Sequence, residues 1–157
     1  MRSFAAGSIL ALACAAGAGA APRDAEARSI VRFVATFVDQ VNKGNAGAAL
    51  GHLTSDVSIT EDLAPFNWKG PHAGADWLAG MQKNGERIGV SDIQMQLGSP
   101  TQVLVDGDAA YEAIPGVVVL KGTHGVLHEK GMLTFALVKT SGVWKITSLA
   151  WGGAPAQ

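Results

Sequence analysis

Glu61, Asp62 and, ten residues on, His72 are the side chains of this 157-residue chain whose types and spacing best suit moving a proton. The segment between the acids and His72 holds Pro65, Gly70 and Pro71, which keep it out of regular structure and mark it as a loop. Loops on a rigid scaffold are where binding and reacting groups concentrate. A carboxylate facing an apolar hollow has its charged form disfavoured, which moves its proton affinity toward the range useful for abstraction. His72 falls at a helix start, where the dipole disfavours the imidazolium, so it is a candidate neutral donor to a substrate oxygen. Phe66, Trp68, Trp77, Tyr111 and Trp151 are candidates to shape an apolar or aromatic ligand's pocket, although residues of these types also fill cores. The competing reading of the acids is solvated loop carboxylates that cap the following helix or pair with Lys69.

Other chemistries lack residues. His124 and His128 lie four apart, but in a strand that spacing separates them by roughly 13 Å, so they cannot share an ion; no metal site is expected. No Gly-x-Ser-x-Gly, phosphate loop or dinucleotide fingerprint occurs, and no cofactor is expected. Twelve Lys and Arg stand against thirteen acids, with no basic run, which argues against nucleic acid as a partner.

The chain opens Met1-Arg2-Ser3-Phe4, runs through an apolar stretch too short to span a bilayer, and reaches Ala18-Gly19-Ala20, the pattern of a cleavable secretory signal. Residues 1–20 are expected to be removed, giving a periplasmic or secreted protein that begins near Ala21. Cys14 is the single cysteine and leaves with the signal, so no disulfide staples the remainder. Residues 21–152 suit one domain, and 153–157 read as a flexible tail.

These candidates must be positioned by the elements around them. Ile30, Phe33, Val34, Phe37, Val38 and Val41 form one helical stripe within 24–43, with Gly44 as a stop. Asn45 caps a second helix from Ala46 to about Leu53. Val57 and Ile59 alternate with polar neighbours in a short strand; extended by two residues, its parity turns Glu61 inward and, unless the chain bends there, Asp62 outward. Pro71 and Gly85 bracket a third helix from His72 to Asn84, with Trp77, Leu78 and Met81 on its apolar side. From Val90 the period becomes two. Asp106-Gly107-Asp108 signals a hairpin, Pro115-Gly116 a bulge or bend, and Gly122 to Gly125 and Thr140-Ser141-Gly142 further turns. The expected fold is α+β: a curved antiparallel sheet of about five strands wrapped round the long first helix, with two further helices closing one end of a cone.

Several strings resemble the nuclear transport factor two-like superfamily, which includes the SnoaL-like cyclases, ketosteroid isomerase and scytalone dehydratase. Phe37-Val38-Asp39-Gln40-Val41-Asn42-Lys43-Gly44-Asn45 resembles the end of its first helix, Leu53-Thr54-Ser55-Asp56-Val57 its first strand, and Gly142-Val143-Trp144-Lys145-Ile146 with Trp151 its closing strand. The resemblance covers nearly the whole chain after residue 20 and implies the cone fold. It also places Glu61 at or beside the position of the isomerase's aspartate base. The isomerase's tyrosine falls on Phe37, here a pocket-lining candidate, and the strand that brings its second acid reads Met132-Leu133-Thr134-Phe135, so its oxyanion donors are missing from the matching positions. The expectation is a binder of a small apolar molecule that catalyses a cofactor-free lyase, isomerase or cyclase step from Glu61, with Asp62 or His72 assisting. The alternative is a non-catalytic ligand-binding or interaction module. A homodimer through the outer sheet face, where Asp92, Gln94 and Gln96 lie, is a further implication of the resemblance.

Overall fold

The computed structural model describes residues 20–123 and 125–154, so the predicted signal segment and His124 fall outside the described residues, save for Ala20. The chain runs α1 (Ala20–Asn42), α2 (Ala46–Leu50), β1 (Leu53–Thr60), β2 (Asn67–Trp68), α3 (Ala73–Arg87), β3 (Val90–Leu97), β4 (Gln102–Asp106), β5 (Ala109–Gly122), β6 (Gly125–Thr140) and β7 (Val143–Gly153). The fold is α+β, and its one sheet follows the order β2-β1-β7-β6-β5-β3, with β4 also pairing with β5. The sheet has seven strands rather than five and is mixed, because β1 runs parallel to β7. A parallel neighbour needs a long crossover, and everything between β1 and β7 supplies it.

The α1 stripe is buried as its spacing requires: Ile30 and Val34 are 0% exposed and Phe37 2%. Each such side chain contributes roughly 1.5–3 kcal/mol by leaving water, which is what holds a lone helix against the sheet. Past Gly44, the Asn45 side chain accepts from the Ala48 amide and starts α2. That helix ends at Leu50, before the predicted Leu53, because Leu53 is drawn into β1 and pairs with Ile146. The C-terminal end of α1 also guards the exposed edge of β3: Asn42 Nδ2 donates to the Met95 carbonyl at 2.8 Å, and the Met95 amide donates to Asn42 Oδ1 at 2.8 Å. An edge strand's free groups are thereby occupied by a side chain.

Three expected boundaries move. Gly85 does not stop α3; it is buried inside the helix, where a Cβ would lie 3.4 Å from Ile93, and it lets α3 approach β3. The helix ends two residues later, and Gly89 at φ +72 makes the turn. Pro115-Gly116 does not bulge: β5 pairs with β6 without a break from Ala109 to Gly122. On its other side β5 exchanges partners there, from β4 up to Ala113 to β3 from Gly116, and proline's missing N–H coincides with that gap. The predicted tail starts late, since Gly153 still pairs with Gly131 and the Ala154 amide donates to the Lys130 carbonyl at 2.7 Å.

The strands bend where their ladders slip, between Ala136 and Leu137 on β6 against β7 and between Leu53 and Ser58 on β1 against β7. The bent sheet holds α1 along its concave face, and α3 lies over the neighbouring opening against β1, β2 and β3.

Candidate functional site

Between α1, α3 and the concave sheet lies a cavity of about 680 Å³, a size typical of small-molecule sites. Its walls are mostly apolar: Phe37 and Val41 from α1, Leu78 and Met81 from α3, Ile93 from β3 and Leu133 from β6. Phe37 is held by a stack with Trp77 (centroids 6.4 Å apart) and an edge contact with Phe135 (6.2 Å).

Glu61 follows the last residue of β1, and its amide donates to the Phe66 carbonyl, closing a tight loop that returns into β2. The strand's parity carries its half-buried side chain onto the cavity wall, where Oε1 accepts a hydrogen bond from Trp77 Nε1 at 2.8 Å. Burial pushes the Glu61 carboxyl from 4.5 up to about 7; the indole bond opposes this, and the nearby Asp62 and Glu129 charges add to it. Asp62 is more exposed but also lines the cavity, so the outward direction expected from strand alternation fails because the strand has already ended at Thr60.

The third acid, Glu129 of β6, has no counterpart among the sequence candidates. Its Oε1 accepts from Trp151 Nε1 at 3.0 Å, and burial and the adjoining Asp62 raise its proton affinity although the indole bond lowers it. Two glycines make room for the arrangement. A Cβ on Gly131 would lie 2.6 Å from the Trp151 ring, so the ring rests directly on bare backbone. A Cβ on Gly153 would run into the Glu129 carboxylate and stand 2.9 Å from Asp62 Oδ2. The sequence signal for Glu129 is the alternation: it has the parity of Leu133 and Phe135, which line the cavity. Met132–Phe135, where the family resemblance places a second acid, holds none, and Glu129 lies four residues before Leu133 on the same strand.

Of the other sequence candidates, Phe37, Trp77 and Trp151 line the cavity, whereas His72, Phe66, Trp68 and Tyr111 do not. His72 is exposed at the start of α3 and makes no side-chain cap bond. Phe66 is 59% exposed at the tip of the loop. Trp68 is buried, but on the flank of α3, against Gly80. Tyr111 is excluded by parity, since the residues of β5 that reach the cavity are the even-numbered Val118 and Leu120. On β3, Asp92 is paired with Lys121 at 2.9 Å and Gln94 donates to Asp92 and to the Asn42 carbonyl, while Gln96 is exposed.

No family model and no curated protein matches the chain. Solved structures do. A single-site variant of Rv3472, a protein of unknown function from Mycobacterium tuberculosis, superposes with a TM-score of 0.72 at 19% identity, over 90% of this chain and 79% of that one. A nuclear transport factor 2-like superfamily protein from Salmonella enterica gives 0.70 at 15% identity, over 85% and 94%. A scytalone dehydratase-like protein from Novosphingobium aromaticivorans gives 0.69 at 14% identity, over 83% and 85%. The chain is therefore similar in fold, over most of its length, to proteins that are only 14–19% identical to it, and it has the nuclear transport factor 2-like cone fold.

Proposed function

We propose that the cavity binds a small, largely apolar molecule and that Glu61 is the general base of a cofactor-free proton transfer on it, of the lyase, isomerase or cyclase kind. The observation that carries this reading is the Glu61 carboxyl on a largely apolar wall, oriented by the Trp77 indole and poised to titrate near neutrality, with the Asp62 and Glu129 carboxyl groups on the same wall. A base that is half protonated near the working pH combines availability with driving force. The likeness to a scytalone dehydratase-like protein supports a ligand-binding cone and does not name the reaction. Glu129 replaces His72 as the partner of Glu61 and Asp62 in this reading, because His72 stands outside the cavity. Export by the predicted signal and a dimer through the outer sheet face remain parts of the proposal; light scattering across concentration tests the dimer, and a strict monomer removes it.

The test begins with native mass spectrometry of the purified protein, which identifies a retained molecule by its mass. That molecule is then incubated with protein in heavy water and followed by NMR. Wild type is expected to exchange or convert a carbon-bound hydrogen, and Glu61→Gln to retain binding without exchange. Exchange at the wild-type rate in Glu61→Gln would remove the base, and binding without any exchange in wild type would leave a binder only.

A further inference from the structure

The cavity's charge is one-sided. Glu61, Asp62 and Glu129 are the charged residues on its wall, and no Lys, Arg or His lines it among the described residues. The ion pairs of the described residues lie elsewhere, at Lys43–Asp39, Lys121–Asp92 and Lys139–Glu26. Inside the cavity, Glu61 and Glu129 accept from neutral indole donors, Trp77 and Trp151, and these two bonds leave the charges uncompensated. Carboxylates set into an apolar wall without a cation repel one another, and the strain is relieved either by taking up a proton, the direction in which Glu61 and Glu129 are shifted, or by a bound positive charge. The same three acids do not converge as a metal-binding group: no set of three or more His, Cys, Asp or Glu among the described residues is disposed to hold an ion. A metal needs three or more convergent ligands at short range, whereas an ammonium on an apolar body satisfies several carboxylates at once through its N–H donors. Two indole rings beside the acids add the aromatic surface on which cations rest.

We propose that the molecule this cavity takes is a lipophilic amine, its apolar body against Phe37, Met81, Ile93 and Leu133 and its ammonium among the Glu61, Asp62 and Glu129 carboxyl groups. This deepens the reading above and rests on the cavity being a ligand site. It excludes fatty acids, phosphates and other anions, which meet three acids and no compensating base. It also makes binding depend on pH in one direction. The amine keeps its charge throughout the range in which Glu61 and Glu129 titrate, and among the described residues α1, α3, β3, β5 and β7 bring no other titratable side chain to the wall. Affinity therefore rises as the carboxyls ionise, and at neutral pH binding releases protons.

Three probes of one shape test this: 1-adamantylamine, 1-adamantanol and 1-adamantanecarboxylate, titrated into the full-length protein by calorimetry and tryptophan fluorescence at pH 8 and pH 5. The amine is expected to bind more tightly than the alcohol by about tenfold or more at pH 8, with the carboxylate weakest and the amine's advantage largely gone at pH 5. Calorimetry in buffers of different ionisation enthalpy should show proton release with the amine and none with the alcohol. Glu129→Gln and Glu61→Gln each lower the ratio of amine to alcohol affinity, while Asp39→Asn, whose side chain pairs with Lys43 and does not line the cavity, leaves it unchanged; circular dichroism confirms that each variant is folded. If the alcohol binds as tightly as the amine at pH 8, the amine is overturned and the apolar site stands. If none of the three binds, both readings fall.

Discussion

Replacing Glu112 by glutamine should stabilise the protein at high pH and leave it unchanged at low pH. Glu112 lies in the middle of β5, 0% exposed, opposite Val103 of β4 and Phe135 of β6, and neither carboxyl oxygen has a hydrogen-bond partner. Burial alone lifts its proton affinity from 4.5 to about 7. The folded-state value lies above the unfolded one, so the stability linked to this group is fully present below pH 4.5 and is lost as the pH climbs to about 7. At about 1.4 kcal/mol for each tenfold change in proton affinity, the loss is about 3 kcal/mol, a large fraction of a small domain's stability of roughly 5–15 kcal/mol. Glutamine keeps the shape and a buried polar end but cannot ionise. Urea unfolding followed by tryptophan fluorescence at pH 4, 6 and 8 measures the effect. Wild type and Glu112→Gln should coincide at pH 4 and separate by about 3 kcal/mol at pH 8, and because Glu61 and Glu129 titrate in both proteins their contributions cancel in the difference. Two stability curves that stay parallel across this range would refute the assignment of Glu112 as an unpartnered buried acid.

Trp77→Phe removes the donor that favours the ionised form of Glu61, so the Glu61 midpoint should move above about 7, read from the carboxyl carbon shift in an NMR titration; a midpoint that stays or falls would show that the indole bond does not hold this group. Gly131→Ala drives a methyl into both the Gly152 carbonyl oxygen and the Trp151 ring; overpacking of this kind costs roughly 1–3 kcal/mol, visible as a lower thermal midpoint, and it should shift the Glu129 titration because the Trp151 donor is displaced. An alanine accepted without loss of stability would mean that the ring does not rest on Gly131.

Local chemistry made much of the scaffold legible. The stripe from Ile30 to Val41 can only be one face of a helix, Gly44 and Asn45 end one helix and start the next, and Asp106-Gly107-Asp108 turns β4 into β5, because each signal acts over a few residues. The inward placement of Glu61 was readable for a related reason, since it directly follows the alternation of Val57 and Ile59 before the chain turns, whereas the turn itself takes Asp62 out of that alternation. What a sequence cannot supply is which strands lie side by side and which turn of a helix faces which wall. The parallel seating of β1 on β7, the passage of Gly85 inside α3, the exchange of partners at Pro115, and the exclusion of Tyr111, Trp68 and His72 from the cavity all depend on contacts between distant segments. Glu129 shows the division most clearly: its inward parity was present in the alternation of β6, but its meeting with Asp62 and the Trp151 indole exists only because the sheet folds β6 beside β7 and brings the end of β1 across to them. Alternation tells which face a side chain takes, while register and curvature decide its neighbours, and the chemistry of this cavity resides in the neighbours.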